Sequence, residues 1–471
     1  MGGTTGKLTH FGLGKEVIWA TEVGATVYLP YTSETITHAI EPIIPASLMA
    51  RRWENNNLEG GNMVAGDSVH EVHPAGIGYL LRSALRSPVT TNNTGSYTHV
   101  YQPPAGRAIL SDTAQASTSG SLIYLTAVAT DDIYNGCWCH VKTGTAAGQW
   151  VIITDTIASA NTISVVTSPA AVAGDTIEIV PGPQYCMHHP TYTIEIHRDL
   201  SGATPSFQYT GCAVNNLAFN IAAGAKTMVA TSSWLGKVPS NIANTNPNLP
   251  STEPFIWDEC IFGVGKKSGA TASGASSTTT LVDTGTWTVN AEVGNIVLTT
   301  GGTGANQCRR IISNTTDALT VSTWHTAPDA TTTYEIFYGT DLITDMNFSW
   351  NNGLVPVPTV NYSKYIHQIE SDAYTTGAIS KTIIPEAITD YGTYFAGWTT
   401  REWVLLFHGG QIAGDHYYDL FFHFPKVKFM TYPINIGGPG GVRVATDLKI
   451  EYDGTDQYAV KAFLINNTSA Y

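Results

Sequence analysis

The stretch CMHHPTYTIEIHRD, Cys186 to Asp199, gathers one cysteine and three histidines, the side chains that bind zinc and related metals. Their spacing does not suit one ion. His188 and His189 are adjacent and point to opposite sides of an extended chain. His189 and Glu195 would stand roughly 20 Å apart along a strand, at ~3.3 Å per residue. No CxxC pair occurs, and Cys137 and Cys139 are separated by a single residue. VHEVHP, Val69 to Pro74, resembles the HExxH metalloprotease helix, but His70 and His73 are three apart instead of four. The glycine-rich INIGGPGGVR, Ile434 to Arg443, has no Lys-Ser/Thr to hold a phosphate and reads as a loop. No GxSxG is present. These residues therefore predict no catalytic group, no metal and no cofactor.

The elements around them read as strands. In TYTIEIH, Tyr192, Ile194 and Ile196 take one face, while Thr191, Thr193, Glu195 and His197 take the other. That alternation predicts a half-buried strand with a polar face. Only 13% of the 471 residues are charged, against about 25% in an average domain, and the net charge is −14. Such a chain is poorly suited to gripping phosphates, and its weakly charged surface suits a subunit covered by neighbours. No run of about 20 apolar residues is present, so no membrane helix is expected. The N-terminal MGGTTGKLTHFGLGKEV lacks an apolar signal segment, so folding in a host cytoplasm without disulfides is expected.

Two internal repeats organise the chain. GTAAGQ at Gly144 recurs as GTGANQ at Gly302, and TIEIVPG at Thr176 recurs as TYEIFYG at Thr333. Alternating runs separated by turn residues predict two small β modules, 108–182 and 268–339. They carry −5 and −3 of the net charge of −14. A fainter repeat relates VAGDSVHEVHPAGIGYLLRSAL at Val64 to TTGAISKTIIPEAITDYGTYFAG at Thr375, with Gly66 and Pro74 matching Gly377 and Pro385 at one offset, 311. Each copy reads as a strand, a proline and a short helix. A strand pair follows each copy, YTIEIHRDLSG and WVLLFHGGQIAG, with His408 in the place of His197.

GLGKEVIWATEV (Gly12 to Val23), YLPYTSETI (Tyr28 to Ile36), FQYTGCAVNNLAFNIAAG (Phe207 to Gly224) and TSSWLGK (Thr231 to Lys237) together resemble tail tube proteins of long-tailed, siphovirus-like bacteriophages. DLITDMNFSWNNGL (Asp341 to Leu354) and YDLFFHFPKVKF (Tyr418 to Phe429) extend the resemblance in the same order. The modules resemble β modules scattered through phage structural proteins. The resemblance implies a mainly β fold: tandem β-sandwich or barrel tube domains, each with a flanking short helix, plus two inserted all-β modules. The expected boundaries are 1–107 with 183–240, and 241–267 with 340–471, interrupted by the two modules.

It also implies a structural virion protein that polymerises into stacked rings and conducts the genome, with no enzymatic role. Three chains would complete a pseudo-sixfold ring if the tube domain is duplicated; six would otherwise. Other partners would be the tape measure protein, other tail proteins and DNA in transit. Resemblance and alternation together assign wall strands within 192–221 and 403–430. The candidate channel-facing residues are Thr193, Glu195, His197, Gln208, Asn216, Asn220, His408, His423, Lys426 and Lys428. The competing reading, from an aromatic content of 10%, is a glycan-binding tail fibre or adhesin.

Overall fold

The computed structural model describes the chain except residues 1–8, 17–18, 47–56, 87, 103–109, 117, 119, 129–133, 135–136, 167–168, 170, 181–189, 199–205, 225, 243–244, 246, 275, 341, 361–362, 372–374, 386–389 and 436–441. The Cys186–His189 cluster and most of INIGGPGGVR lie outside the described residues.

The chain is mainly β, with curled antiparallel sheets. Twelve strands form its frame. The first six are β1 (His10–Lys15), β2 (Thr37–Ile43), β3 (Leu58–Glu71), β4 (Tyr192–His197), β5 (Ser206–Ala222) and β6 (Val229–Gly236). The others are β7 (Cys260–Thr271), β8 (Ile343–Asn351), β9 (Thr376–Ile383), β10 (Arg401–Ala413), β11 (His416–Phe429) and β12 (Val444–Glu451). The first six pair in the order β1–β4–β5–β6–β3–β2. The second six pair as β7–β10–β11–β12–β9–β8, the same order again. A short helical element follows β3 and β9 alike: α1 (Ile77–Leu85) in the first set, and a π-helical turn, Asp390–Ala396, in the second.

The glycines of the faint repeat occupy matching places. Gly66 pairs with Trp234 of β6, and Gly377 pairs with Ile450 of β12. A Cβ on Gly66 would lie 2.4 Å from the Thr35 carbonyl oxygen, and one on Gly377 would lie 2.8 Å from the Ile450 side chain. Close approach by a neighbouring segment demands glycine at both.

The two sets are joined edge to edge. β5 pairs with β8 from Asn216–Asn351 to Ala222–Asp345. Across this junction Phe219 stacks on Phe348 at 5.0 Å and meets Phe422 at 5.2 Å. Polar bonds fix the helix here as well. Ser83 Oγ accepts from the Val214 amide at 3.0 Å, and Asn352 Nδ2 donates to the Ala84 carbonyl at 3.0 Å, partnering a helix-end acceptor. One core runs through both sets, holding Phe11, Leu80, Trp234, Trp350, Trp403 and Phe422 among others.

β6 and β12 alternate buried and open residues along their whole length, as half-covered strands must. β10 and β11 do not: Trp403–Phe407 and Asp419–Phe424 are buried throughout. Their second face is covered by Ile296, Leu298, Cys308 and Phe337 of the 268–339 segment. That segment also holds a separate three-stranded sheet and a cluster around Leu281, Leu319 and Trp324. Its strand Thr333–Thr340 pairs with β7, so it is continuous with the frame. The 110–180 segment differs, with its own six-stranded sheet and its own cluster around Ile123, Ile153, Ile163 and Ile177. Among the described residues no helix is long and apolar enough to cross a membrane.

Candidate functional site in the wall strands

Six adjacent strands, β3–β6–β5–β8–β9–β12, present one continuous face that the described residues leave open. Register aligns their outward residues in rows. One row runs Glu71, Val229, Asn220, Asn347, Ser380, Asp447. The next runs Val69, Thr231, Ala218, Ser349, Ala378, Lys449. All twelve are exposed or half-buried, while the alternate residues, such as Leu217, Phe219, Phe348 and Ile379, point into the core. The face is therefore built mainly of small polar and small apolar side chains, with Glu71, Asp447 and Lys449 charged. Its charges in these rows and in the flanking Asp67 and Asp345 are four carboxylates against one lysine. Such a surface offers phosphates few cationic contacts.

The ten sequence-predicted residues divide on this geometry. Asn216 and Asn220 lie on the open face, as β5 residues paired with Ser233 and Val229. Thr193, Glu195, His197, Gln208 and His423 are buried inside the chain, so their side chains reach no open surface. Thr193 Oγ1 donates to Glu16 at 2.9 Å. Glu195 is held by His10 Nε2 at 3.0 Å and by the Thr245 hydroxyl. His10 in turn stacks on His197 at 5.1 Å. Gln208 accepts from Ser240 Oγ at 3.2 Å, and His423 bridges Tyr458 and Glu402, each at 2.7 Å. The polar side of TYTIEIH is thus a second packed face. Lys426 and Lys428 are half-buried at the end of β11, near Asp453 (3.4 Å) and Glu451 (3.7 Å). His408 is half-buried and bonds Asp419 at 2.6 Å.

Sequence reasoning missed the open face's contributions from β3, β6, β8, β9 and β12. The available signal was the alternation in VATSSWLG and VATDLKIE, whose open positions are Val229, Thr231, Ser233 and Leu235 in one strand and Ala445, Asp447, Lys449 and Glu451 in the other.

Three buried polar joints hold the frame. Glu16 receives four bonds, from the Ala20 and Gly211 amides (2.9 and 2.7 Å) and the Thr191 and Thr193 hydroxyls (2.8 and 2.9 Å). Burial nonetheless raises its carboxyl above the ordinary value. His70, from the VHEVHP motif, sits on β3. Its Nδ1–H donates to the Pro30 carbonyl at 2.9 Å, which fixes the tautomer, and Nε2 meets Ser68 Oγ at 2.9 Å. Burial lowers its pKa to about 4. The third joint is Asp419, bonded by Arg309 Nη1 (2.6 Å), His325 Nε2 (2.7 Å) and His408 Nδ1 (2.6 Å). Burial opposes its charge, but Arg309 and the two histidines hold the carboxyl far below the usual range. Among the described residues no group of His, Cys, Asp and Glu has the geometry to hold a metal ion.

The model of a family described as phage tail tube protein matches residues 6–454. No curated protein matches the chain at a significant level.

Proposed function

Because the chain belongs to the phage tail tube protein family and is a structural component of the phage tail, we propose that it polymerises into stacked rings whose lumen is the open face of β3–β6–β5–β8–β9–β12. The observation that carries this reading is the continuity of that face across both strand sets, without a break at β5–β8. A sheet that is open on one side, polar and acid-leaning is what a conduit for DNA requires. The genome meets few cations, so it slides without being held.

The repeated strand order supports two tube domains in one chain, and hence three chains per pseudo-sixfold ring. In that ring each chain contributes eight wall strands, β2–β3–β6–β5 and β8–β9–β12–β11. At ~4.8 Å between strands and a tilt of ~40°, twenty-four strands close a barrel roughly 45–50 Å across between backbones. That leaves room for duplex DNA, or for a tape measure protein before ejection. The role is mechanical and asks for no active site.

Electron microscopy of the purified protein tests the proposal. Hollow tubes or rings with threefold or pseudo-sixfold projections are expected. A concentration-independent monomer, or one that binds glycans and never assembles, would overturn it.

A further inference from the structure

Lys381 and His70 hold equivalent positions in the repeat, since 381 − 70 = 311, the offset that relates Gly377 to Gly66. Each lies on the core-facing side of its strand, β9 or β3, and each is buried. Their surroundings differ. Both ring nitrogens of His70 are partnered, by the Pro30 carbonyl and by Ser68 Oγ, each at 2.9 Å. The space beside it, against Leu29, His73 and Leu80, is about 10 Å³, no more than one water fills. The first strand set is closed at this position.

The second set is open there. Lys381 is 4% exposed, and among the described residues no oxygen accepts a hydrogen bond from its ammonium. Its contacts are the rings of Trp403 and Phe429. A buried charge without a hydrogen-bonded partner is costly. Beside it is a cavity of about 200 Å³, walled by Lys381, Val264, Leu342, Ile383, Arg401 and Tyr432. Tyr338 and Ile384 also line it and are half exposed, so it opens to solvent.

The charges around this cavity do not balance. Asp390, at the start of the π-helical turn, is the lining carboxylate, and it accepts from Arg401 Nη1 at 2.7 Å. Arg401 Nη2 donates to the Val264 carbonyl at 2.8 Å, and Nε is buried without a partner. Arg401 and Asp390 therefore neutralise each other, and the Lys381 ammonium is left over. Size and wall chemistry narrow the occupant further. An apolar cavity of about 150 Å³ is enough to take benzene. This one is larger, mostly apolar, and carries one unmatched cation.

We propose that this cavity binds a small organic monoanion, a carboxylate on a short apolar or aromatic body. The carboxylate meets the Lys381 ammonium, giving it the hydrogen-bond acceptor that His70 finds in Pro30 and Ser68. The body lies against Val264, Leu342 and Ile383. The site is on the side of β9 turned away from Ser380 and the proposed lumen, so it is independent of the ring reading.

Benzoate is the probe. Titrated into the full-length chain near neutral pH, it should raise the thermal midpoint and show one saturable site per chain by calorimetry. Benzyl alcohol keeps the body without the charge, and inorganic phosphate keeps charge without the body. Each should bind about 30-fold or more weakly than benzoate. Lys381→Met should fold and lose benzoate affinity by a similar factor. Leu342→Trp, which fills the cavity and retains the lysine, should lose it as well. No saturable benzoate binding by the wild type would overturn the site. So would affinity unchanged in Lys381→Met, or an equal midpoint shift from phosphate at matched ionic strength. Ring formation, read separately by electron microscopy, is unaffected by any of these results.

Discussion

Arg309 and Asp419 form a fully buried ion pair at 2.6 Å, linking the 268–339 segment to strand β11. His325, from the same segment, reaches the same carboxylate oxygen at 2.7 Å. Removing one partner of such a pair leaves an uncompensated charge in the interior. Asp419→Asn should therefore cost about 3–5 kcal/mol of folding stability. Denaturant melts of the purified chain measure this. The half-exposed Lys364–Glu59 pair supplies the control, since Glu59→Gln should leave the midpoint unchanged.

Phe219 sits at the seam of the two strand sets, fully buried against Phe348, Trp350 and Phe422. Phe219→Ala would open a cavity shared by both sets and should cost about 3–5 kcal/mol. Because one core spans the seam, unfolding should remain a single transition outside the 110–180 segment. Separate transitions for the two sets, seen by calorimetry, would contradict a common core.

Lys381 is buried over the rings of Trp403 (4.1 Å) and Phe429 (5.1 Å). Burial lowers its pKa from 10.5 to about 7. The unfolded lysine keeps its proton up to about pH 10.5, whereas the folded one releases it near 7. Between these values the unfolded state binds more protons, so this residue makes stability rise with pH. Lys381→Met should be more stable than wild type by an amount that is greatest below pH 7 and closes toward pH 10. Thermal midpoints of both proteins across that range check the sign.

The proposed lumen face predicts how the assembled tube can be made to stick. Asn216 and Asn347 lie in rows of small polar residues on neighbouring strands. Changing both to lysine should leave assembly intact, because each side chain points away from the core. The resulting tubes should retain duplex DNA at low salt and release it as salt rises, with a log–log slope of about −0.9 per phosphate contacted. Filter retention of assembled tubes at two salt concentrations would measure it. DNA retention by the wild type equal to that of the variant would contradict a non-gripping wall.

Much of this architecture is legible in the sequence by itself. Alternation sets the strands, as in VATSSWLG, because a pleated chain turns successive side chains to opposite faces. The 311 offset of Gly66 and Gly377, and the prolines eight residues later, mark recurring geometry, because close backbone approach tolerates only glycine. The order of the matched segments led to the tail tube family. Only the tertiary structure decided which faces remain open. Period two separates the faces of a strand but does not say what covers each one. TYTIEIH reads as half-polar, yet His10 and Thr245 lie over Glu195 and bury it. His408 reads as a wall residue, yet Asp419, held by a distant arginine, claims its Nδ1. Asn216 and Asn220 stay open: their neighbours on β6 and β8 are Ser233, Val229, Asn351 and Asn347, and among the described residues nothing packs over them. Coverage is set by contacts such as His10 with Glu195, 185 residues apart, and Arg309 with Asp419, 110 apart, which local spacing does not encode.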